Sequence, residues 1–592
     1  MALSERCRSL RVIRHLILAA SIGRAHFGRG PWTGTSVAWR VMPATLRGRL
    51  LNVAQLKRGS ALNALGLAAA GRRMEARRTL TDLVEHGSAR SALRAAEVAT
   101  VLNEQSLARL ALSRAPTAGR SGLLLAEARL LWAEGHLSRA CKVAGQAPGR
   151  RGRRLARRLD GDRAALIPQR RVPIIGATDR TARWSTSGAG CQVLHVVTKA
   201  LPEVQVGYTL RTQGIAEAQA VAGYDVHVVT RLGFPVDIGV LGSPDRLTRN
   251  SVTYHRLQPA GGLPSSAGLR LDQGIAALHQ LVTRVRPDVL HAHSKHDNAQ
   301  VALAVGRRVG LPVLYEARGF LEETWRTQGG DVNSDRYQMS RDAETWCMQQ
   351  ADLVVALSET MRTEITRRGV DANHVLVVPN AVSETVLGSE ADGAATRRHL
   401  GISETAFVIG VVSTLNDYEG VDTLLAALRL VEHPDTHLLV VGDGPSAADL
   451  HTSSTDLAGR VTFTGKVPHA DVADHYAAID VFCVPRHRTP VTELVPPLKP
   501  LEALAMAIPI LVSDLPPLTE LLADSDAGWA VAAEDPEAWA NQIDWLHGHI
   551  DERRKKGREG RSWVSHQRTW AALVMSYERI YRQLGLAMAT SI

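Results

Sequence analysis

The sequence predicts an α/β protein with two doubly wound parallel-sheet domains that face a cleft, preceded by an all-α basic region. Its 592 residues suggest about three or four domains. From residue 191, two series of short Val, Ile and Leu runs alternate with helical stretches, a pattern typical of parallel sheets covered on both faces. Residues 1–185 hold 34 Lys+Arg and 11 Asp+Glu, a balance of +23, which leaves −12 for the remainder of a chain whose net charge is +11. We therefore interpret the basic region and the acidic body separately.

The composition excludes several classes of protein. Hydrophobic residues make up 45% and charged residues 22% of the chain, so every large segment can form a core and global disorder is excluded. No stretch approaches the roughly 20 apolar residues of a membrane span. The five cysteines, at 7, 141, 191, 347 and 483, have neither zinc-ligand nor CxxC spacing. A reduced cytoplasmic setting fits this pattern best.

Residues 1–185 are predicted to be helical, with a linker from about residue 160. Segments Ala61–Gly87 and Ser121–Ala147 are rich in Ala, Leu and Arg, with apolar residues near i, i+3 and i+4. These two pieces resemble each other and degenerate tetratricopeptide-type helical pairs, and a plain helical bundle is the alternative. Residues 160–190 gather Pro, Gly, Ser and Thr, which places the linker there.

Two arginine-rich segments of this region have more than one interpretation. Met1–Ala20 carries four arginines before a short apolar patch, and it could be a cleaved signal, a helix lying on an anionic membrane, or a frayed terminus. Arg150–Arg158, "RRGRRLARR", is the densest charge cluster. It could bind a phosphate-rich partner, either a lipid headgroup or a nucleic acid, or it could be a solvated linker.

The acidic body comprises one predicted domain over residues 186–385 and a second over 386–565. The predicted strands of the first begin at residues 192, 225, 288, 312, 353 and 375, and those of the second at 407, 437, 461, 480, 509 and 528. Neither series opens with GxGxxG, which argues against a dinucleotide oxidoreductase, and Gly465–Lys466 is followed by Val467 and is not a P-loop. Ligands of such sheets bind beyond the carboxyl ends of the strands, so the function must reside in those loops.

The most informative loop lies within residues 480–517. A predicted strand ends at Arg486, a Pro-rich loop follows, and Pro500 suits the first turn of a helix beginning "LEALAMA". A helix start offers free N–H groups to an anion such as a diphosphate, and Lys499 adds a full positive charge there. Glu502, one turn further, could accept two ribose hydroxyls, or it could be merely a favourable first-turn carboxylate.

These motifs resemble the donor site of family-4 retaining glycosyltransferases with two Rossmann-like domains, the GT-B architecture. "LEALAMAIPILVSD" matches the second glutamate of that family, here Glu502, and its helix. Asn380 in "VVPNAV", Gly442 in "VVGDGP" and the opening loop from Leu201 resemble the family in order and spacing. The resemblance covers about residues 190–585, and it implies that a final helix within 566–592 crosses back onto the first Rossmann-like domain.

The chain also departs from the family pattern. Glu493 lies nine residues before Glu502 rather than the usual eight, and Leu494 occupies the usual position. Thr414 and Glu419 stand where the diphosphate-binding Arg and Lys of the family normally lie. Glu316, in "YEARGF", replaces a frequent His, and this loop together with "TELVPPLKPLEALA" resembles a subgroup of bacterial polysaccharide-type enzymes.

The resemblance implies a role for each candidate site residue. Glu493 would bind the donor sugar, Lys499 and Arg486 the diphosphate, and Glu316, Arg318 and the acceptor-side residue His293 would face the sugar and acceptor. The catalytic candidates are Glu493, Lys499, Arg486, Glu316 and Arg318. The donor-binding candidates are Gly207, Glu502, Pro500, Leu501, Gly442 and Asn380.

No metal or other cofactor is expected. His291 and His293, in "HAHS", lie on one face of a predicted strand and suggest a metal site. The pattern offers no third ligand nearby, and a buried structural role is more usual for such histidines.

The resulting hypothesis is a retaining glycosyltransferase of hexosyltransferase type, acting in cell-envelope or exopolysaccharide synthesis. Its partners would be a nucleotide-sugar donor, a glycan or lipid-linked acceptor, and an anionic membrane surface or a protein bound through residues 1–185, which we expect to fold as a separate module. It would be cytoplasmic, with peripheral attachment to the inner face of the plasma membrane as a further hypothesis. The alternative is a non-catalytic sugar-nucleotide or glycan-binding scaffold with a helical protein-interaction arm. We expect no nucleic-acid partner, since residues 1–185 lack interleaved aromatic residues.

Overall fold

The computed structural model describes residues 2–29, 32–33, 35, 59–173, 191–259 and 261–586. It confirms the predicted fold class of two α/β domains with parallel sheets, preceded by an all-helical region. Within these residues no helix is long and apolar enough to cross a bilayer.

The helical region is built from short helices that pack mostly against their neighbours in sequence. Serine caps begin two of them, because Ser60 and Ser88 accept hydrogen bonds from the backbone N–H three residues later. The tetratricopeptide-like repeat stays a prediction. The helices are α1 (Ala2–Arg29), α2 (Ala61–Ala69), α3 (Arg73–Glu85), α4 (Ala89–Val101), α5 (Gln105–Ser113), α6 (Arg120–Ala133), α7 (Leu137–Gln146) and α8 (Gly149–Ala164).

The Arg150–Arg158 cluster is part of helix α8, so its interpretation as a solvated linker is wrong. Leu155 and Leu159 bury one face of the helix. Arg158 also turns inward and donates to the Ala25 carbonyl at 2.5 Å. The other arginines of the cluster are exposed on the opposite face. Residues 174–190, the last part of the predicted linker, lie outside the described residues.

Helix α1 packs against the first α/β domain rather than fraying. Leu18 and Ile22 are buried together with Val236 of that domain. Ser21 Oγ accepts a hydrogen bond from the Leu263 backbone N–H at 2.9 Å, which adds a polar contact to the same surface. The interpretation of this segment as a frayed terminus is therefore wrong for residues 18–22.

The helical region is docked on the first α/β domain, which contradicts the expectation of a separate module. The Asp335 carboxylate accepts from the backbone N–H groups of Leu137 and Ser138 at 2.8 and 2.6 Å. Near the other end of the contact, Arg171 pairs with Asp272 at 2.8 Å. These bonds join residues more than 100 positions apart, so the region and the domain form one packed unit.

The first α/β domain is an eight-stranded sheet in the order β3-β4-β2-β1-β5-β6-β7-β8. Its strands are β1 (Gln192–Val197), β2 (Asp225–Thr230), β3 (Arg246–Arg249), β4 (Val252–Arg256), β5 (Val289–His293), β6 (Val313–Glu316), β7 (Leu353–Ala356) and β8 (Val375–Val377). Its helices are α9 (Gly207–Val221), α10 (Ala267–Val285), α11 (His296–Val309), α12 (Leu321–Thr327), α13 (Asp335–Gln350) and α14 (Glu359–Arg367). Strands β3 and β4 are absent from the predicted series, and they form an antiparallel edge pair whose first strand is polar and mostly exposed.

The second α/β domain is a six-stranded parallel sheet in the order β11-β10-β9-β12-β13-β14. Its strands are β9 (Phe407–Val412), β10 (Thr436–Val441), β11 (Val461–Gly465), β12 (Val481–Val484), β13 (Ile510–Ser513) and β14 (Gly528–Val531). The helices before and around it are α15 (Glu384–Leu387), α16 (Gly393–His399), α17 (Val421–Leu430), α18 (Ala447–Ser453), α19 (Val472–Ala477), α20 (Lys499–Ala505), α21 (Pro516–Ser525) and α22 (Pro536–Gly548).

The chain ends on the first domain, not the second. Helix α23 (Ile550–Gln567) leads into α24 (Trp570–Gln583). Trp570, Tyr577 and Tyr581 of α24 are buried in the core that also contains β1 and α9. The C-terminal helix thus ties the two α/β domains together across the cleft.

Candidate active site

The loop after β12 contacts the first α/β domain. Leu494 of this loop packs against the core of the first domain. Asn380 Nδ2 donates to the Pro496 carbonyl at 3.3 Å. A Cβ placed on Gly319 would lie only 3.7 Å from a methyl group of Val495, so the first domain approaches the loop closely. The predicted donor loop is therefore enclosed by both domains.

Lys499 and Glu502 form a pair at the start of α20. Lys499 Nζ donates to Glu502 Oε2 at 2.9 Å, and the Tyr476 hydroxyl donates to the same oxygen at 2.9 Å. No hydrogen bond within the described residues reaches the other carboxylate oxygen, Oε1. Pro500 and Leu501 are buried and hold the helix start against the domain core. The pair thus combines a partly exposed cation with a carboxylate that retains acceptor capacity.

Glu493 points away from this pair. Its carboxylate accepts from Arg488 Nη1 at 3.2 Å, and Arg488 also donates to Asp514 at 2.9 Å. The nine-residue spacing has a structural reason, because the next residue, Leu494, fills the apolar contact with the first domain. The role of Glu493 in binding the donor sugar stays a prediction.

Arg486 is already paired with a carboxylate. Its Nε and Nη2 donate to the two oxygens of Glu419 at 3.2 and 3.1 Å, and Nη1 donates to the Val495 carbonyl at 3.2 Å. Glu419 occupies the segment where the resembled family normally has a diphosphate-binding cation, and its carboxylate balances the charge of Arg486. The role of Arg486 in binding the diphosphate stays a prediction.

Glu316 is the centre of a fully buried ionic network in the first domain. Oε1 accepts from Arg211 Nε at 2.9 Å and from Arg318 Nε at 2.7 Å, while Oε2 accepts from the Tyr577 hydroxyl at 2.7 Å. Burial by itself would raise the pKa of Glu316, but Arg211 and Arg318 outweigh it and hold this pKa well below its usual range. The carboxylate is therefore ionised and fully used within the protein.

The expectation that Glu316 and His293 face the sugar is wrong, because both side chains have zero exposure. Arg318 lies next to them and is 5% exposed. Its Nη1 donates to the Tyr208 carbonyl and to Thr212 Oγ1, both at 2.8 Å. The role of Arg318 in facing the sugar stays a prediction.

A third histidine, His195, joins His291 and His293. The parallel register of β1 and β5 places His195 beside His291, and one nitrogen of each ring lies within 4.8 Å of the others. His195 Nδ1 contacts His293 Nε2 at 2.8 Å, and its Nε2 contacts Gln219 Oε1 at 2.8 Å. Burial lowers the pKa of all three imidazoles and keeps them neutral. His291 Nδ1 contacts the Tyr581 hydroxyl at 3.2 Å, whereas its buried Nε2 has no hydrogen-bond partner among the described residues. The absence of a metal stays our prediction.

Two glycines and Asn380 complete the predicted set. Gly442 has φ +138°, and a Cβ there would lie 1.8 Å from the Ser413 carbonyl oxygen, so a side chain cannot be accommodated. Gly207 opens α9, and a Cβ there would enter open space. Asn380 Oδ1 accepts from Arg211 Nη1 at 3.3 Å, which links the donor loop to the Glu316 network.

Comparison with known protein families matches both α/β domains. Residues 206–381 match the glycosyl transferase 4-like domain, and residues 406–549 match the domain described as glycosyl transferases group 1. The two matches occur in the order of the two sheets, one on each domain. The chain belongs to the group 1 glycosyltransferases. Its GT-B fold follows from the same matches and from the solved structures below.

Curated relatives of this glycosyltransferase cover the body of the chain. It is 25% identical over 403 residues to alpha-maltose-1-phosphate synthase of Mycolicibacterium smegmatis, across 65% of this chain and 97% of the relative. It is 25% identical over 398 residues to D-inositol 3-phosphate glycosyltransferase of Corynebacterium diphtheriae, across 62% of this chain and 87% of the relative. Neither alignment covers the whole of this chain.

Solved structures share the fold of this glycosyltransferase. Sucrose-phosphate synthase from Thermosynechococcus elongatus superposes with a TM-score of 0.55 at 21% identity, covering 67% of this chain and 99% of that one. HepE of Anabaena, in complex with UDP, superposes with a TM-score of 0.52 at 17% identity, covering 66% and 99%.

Four residues of this glycosyltransferase's site escaped the sequence analysis: Arg211, Tyr476, Tyr577 and His195. Tyr577 and Tyr581 lie at i and i+4 in the final helix, a spacing that is typical of packing and does not by itself indicate a site. His195 stands in the first predicted strand, and only the pairing of β1 with β5 brings it to the other histidines. No local signal marks Arg211, whose partners lie more than 100 residues away.

Proposed function

We propose that this protein transfers a sugar from a nucleotide-sugar to an acceptor hydroxyl with retention of anomeric configuration. The observation that carries the proposal is the Lys499–Glu502 pair, which lies beyond the carboxyl end of β12 where both domains meet. Ligands of doubly wound sheets bind at this edge. The names of the relatives, a maltose-1-phosphate synthase and an inositol-phosphate glycosyltransferase, agree with this class of reaction.

Each member of the pair has a distinct role in the proposed reaction. Negative charge develops on the departing diphosphate, and Lys499 stabilises it, which lowers the barrier selectively. Glu502 accepts the ribose hydroxyls, for which its Oε1 is available. Donor binding separates the two side chains and replaces their mutual contact, at 2.9 Å, with contacts to the nucleotide.

The buried network sets the geometry of the opposite wall. Arg318 is held by Glu316, and Arg211 joins Glu316 to Asn380, whose amide reaches the donor loop. Such support fixes the distance between donor and acceptor, and misplacement of about 1 Å can cost on the order of 100-fold in rate.

We further propose a biosynthetic role in cell-envelope or exopolysaccharide assembly, with peripheral attachment to an anionic membrane. The exposed arginines of α8 support this attachment, since each well-placed cation near an anionic surface contributes about 1 kcal/mol. Binding to anionic liposomes in low salt tests it, and equal binding to neutral liposomes would contradict it.

A second candidate is a sugar-nucleotide-binding scaffold without turnover. It is favoured by the engagement of both predicted diphosphate cations with glutamates, Arg486 with Glu419 and Lys499 with Glu502.

One experiment separates the two candidates. The full chain is incubated with UDP-, GDP- and ADP-sugars, and mass spectrometry follows release of the nucleoside diphosphate. Release with one donor, lost in Lys499→Ala, is the expected result. Tight binding without release supports the scaffold, and the absence of both binding and release contradicts both candidates.

A further inference from the structure

A cavity of about 990 Å³ lies between the helical region and the first α/β domain. Thr198 after β1, Thr230 at the end of β2 and Lys295 after β5 line it from the sheet side. Trp132 of α6 and Leu159 of α8 line it from the helical side. The helical region therefore covers the carboxyl edge of the first sheet and encloses the space above it.

The cavity adjoins the candidate active site. Asn298, on its wall, donates to Thr198 Oγ1 at 3.0 Å. The Thr198 backbone N–H donates in turn to the Tyr208 hydroxyl at 3.1 Å, and the Arg318 guanidinium carbon lies 4.8 Å from the centre of the Tyr208 ring. Tyr208 therefore bridges the cavity wall and the Arg318 side of the cleft.

The charges that line the cavity leave an excess of positive charge. Its carboxylates are each matched by a cation, whereas Lys199 and Arg336, also on the wall, have no carboxylate partner within the described residues. The matched pairs are Glu97 with Arg129, Asp162 with Arg158, Asp237 with Arg231, Asp297 with Lys295, and Glu322 with Arg368. This imbalance favours an anionic ligand, because a half-buried cation without a carboxylate partner is stabilised most by pairing with an anion.

Arg336 is positioned by the docking of the helical region. Its backbone N–H donates to the Gly135 carbonyl at 2.9 Å, and its guanidinium lies 5.6 Å from the Trp325 ring centre. A Cβ on Gly135 would come within 2.8 Å of Trp325 and of Ser334, so this approach requires glycine. Burial lowers the pKa of Arg336, and no neighbouring carboxylate counteracts it.

The rest of the cavity wall is largely apolar. Three tryptophans, among them Trp132 and Trp325, and the leucines Leu159, Leu263 and Leu271 contribute to it. Apolar surface of this kind favours contact with hydrocarbon, because the contact removes both surfaces from water. A wall that combines unpaired cations with apolar side chains matches an amphiphile better than a simple sugar.

We propose that the helical region and the first α/β domain together form the acceptor site, and that the acceptor is an anionic amphiphile. Its anionic group binds Arg336 and Lys199, and its apolar part lies against the tryptophans and leucines of the wall. The assignment rests on the proposed transfer function, and the contacts of Tyr208 are what link the cavity to the cleft. The helical region is then part of the binding site rather than a tether.

The test uses the full chain and three probes below their micellar concentrations: dodecyl phosphate, inorganic phosphate and octyl glucoside. Calorimetry and tryptophan fluorescence report binding, since Trp132 and Trp325 line the cavity. Arg336→Gln and Lys199→Gln remove the proposed anion contacts. Arg308→Gln removes the same charge from an exposed position on α11 and is the matched control.

We expect dodecyl phosphate to bind at least tenfold more tightly than either other probe. We expect Arg336→Gln and Lys199→Gln each to weaken its binding about tenfold, and Arg308→Gln to leave it unchanged. Equal binding of octyl glucoside would overturn the anionic requirement, and equal binding of inorganic phosphate would overturn the apolar one. Unchanged affinity in both Arg336→Gln and Lys199→Gln would overturn the site.

Nucleoside diphosphate affinity, measured on the same samples, separates this inference from the proposed function. Arg336→Gln should bind the nucleotide as the unaltered chain does. If the unaltered chain binds nucleotide but not dodecyl phosphate, the acceptor assignment fails and the proposed transfer function stands. If it binds no nucleotide, the proposed function fails.

Discussion

The two α/β domains use their charged residues in opposite ways on the two sides of the cleft. In the first domain, Glu316 is completely buried, and its two oxygens accept from Arg211, Arg318 and Tyr577. In the second domain, the Lys499 side chain is 36% exposed and contacts Glu502 through a single oxygen. Breaking the Glu316 network would leave a buried charge without a partner. Lys499 and Glu502, by contrast, can exchange their mutual contact for contacts with a ligand.

This difference separates residues that hold the site from residues that meet the donor. A buried, hydrogen-bonded network is costly to break, so Glu316 and its partners act on the position of Arg318. The Lys499–Glu502 pair is only partly buried, with side-chain exposures of 36% and 11%. Replacing its contact by a nucleotide should therefore cost less than breaking the Glu316 network. Substitutions in the Glu316 network should therefore lower stability, whereas substitutions of Lys499 or Glu502 should change kinetics or nucleotide affinity.

The largest effect is expected on the buried side. Glu316→Ala leaves Arg211 and Arg318 without their carboxylate, and the free energy of unfolding should fall by about 3–5 kcal/mol. Denaturant unfolding measures this loss. Glu404→Ala, which removes an exposed partner of Arg398, is the matched control and should change stability by less than about 1 kcal/mol. Equal effects of the two substitutions would contradict the comparison.

The pH dependence of stability also tests the role of Glu316 in the buried network. The pKa of Glu316 is held well below its usual range, so its contribution is fully present above the unfolded pKa of about 4.3 and is lost as pH falls towards the folded pKa. Stability should decline more steeply below about pH 5 in the unaltered chain than in Glu316→Gln. Parallel curves would show that this carboxylate is not the ionised centre of the network.

Lys499→Ala, in the second domain, should raise the activation free energy by a smaller amount. Removing the cation that stabilises the departing diphosphate should lower kcat about 100-fold, or roughly 2.7 kcal/mol, with a smaller change in donor affinity. Steady-state kinetics on the accepted nucleotide-sugar measures both. Lys555→Ala, at an exposed position of α23, is the control. A raised KM with unchanged kcat would assign Lys499 to ground-state binding instead.

A smaller loss of stability than that of Glu316→Ala is expected for Tyr577→Phe. The substitution removes the hydrogen bond that the hydroxyl donates to Glu316 and the one that it accepts from Arg211 Nη2 at 3.2 Å, but both arginines keep their contacts with Glu316. Stability should fall by about 1.5–3 kcal/mol. Nucleoside diphosphate affinity should not change, since Tyr577 lies in the first domain. A loss of nucleotide binding without a loss of stability would place Tyr577 on the donor side.

The sequence predicted the architecture well because the buried strands are short, continuous apolar runs. It also predicted the position of Lys499, Pro500 and Glu502 at a helix start, because Pro marks the first turn locally. It missed the polar edge pair β3 and β4, where apolar periodicity is weak.

The partners of the charged residues could not be predicted. Glu316 and Arg318 have the spacing of a site motif, but the burial of Glu316 depends on Arg211 and Tyr577, which are 105 and 261 residues away. The docking of the helical region likewise depends on Asp335, nearly 200 residues from Leu137. Long-range pairing of this kind leaves no trace in local composition, so charge alone suggested a separate basic arm.

The most direct test of this account is the affinity for nucleoside diphosphates before and after Glu502→Gln. Calorimetry with UDP, GDP and ADP should find one that binds, and the substitution should weaken it at least tenfold, since hydrogen bonds to a charged acceptor contribute about 1.5–3 kcal/mol each. Glu537→Gln alters another first-turn carboxylate, on α22, and should leave the affinity unchanged. Unchanged affinity in Glu502→Gln would show that Glu502 only stabilises the helix. It would contradict the proposal that contacts with the donor replace the Lys499–Glu502 contact.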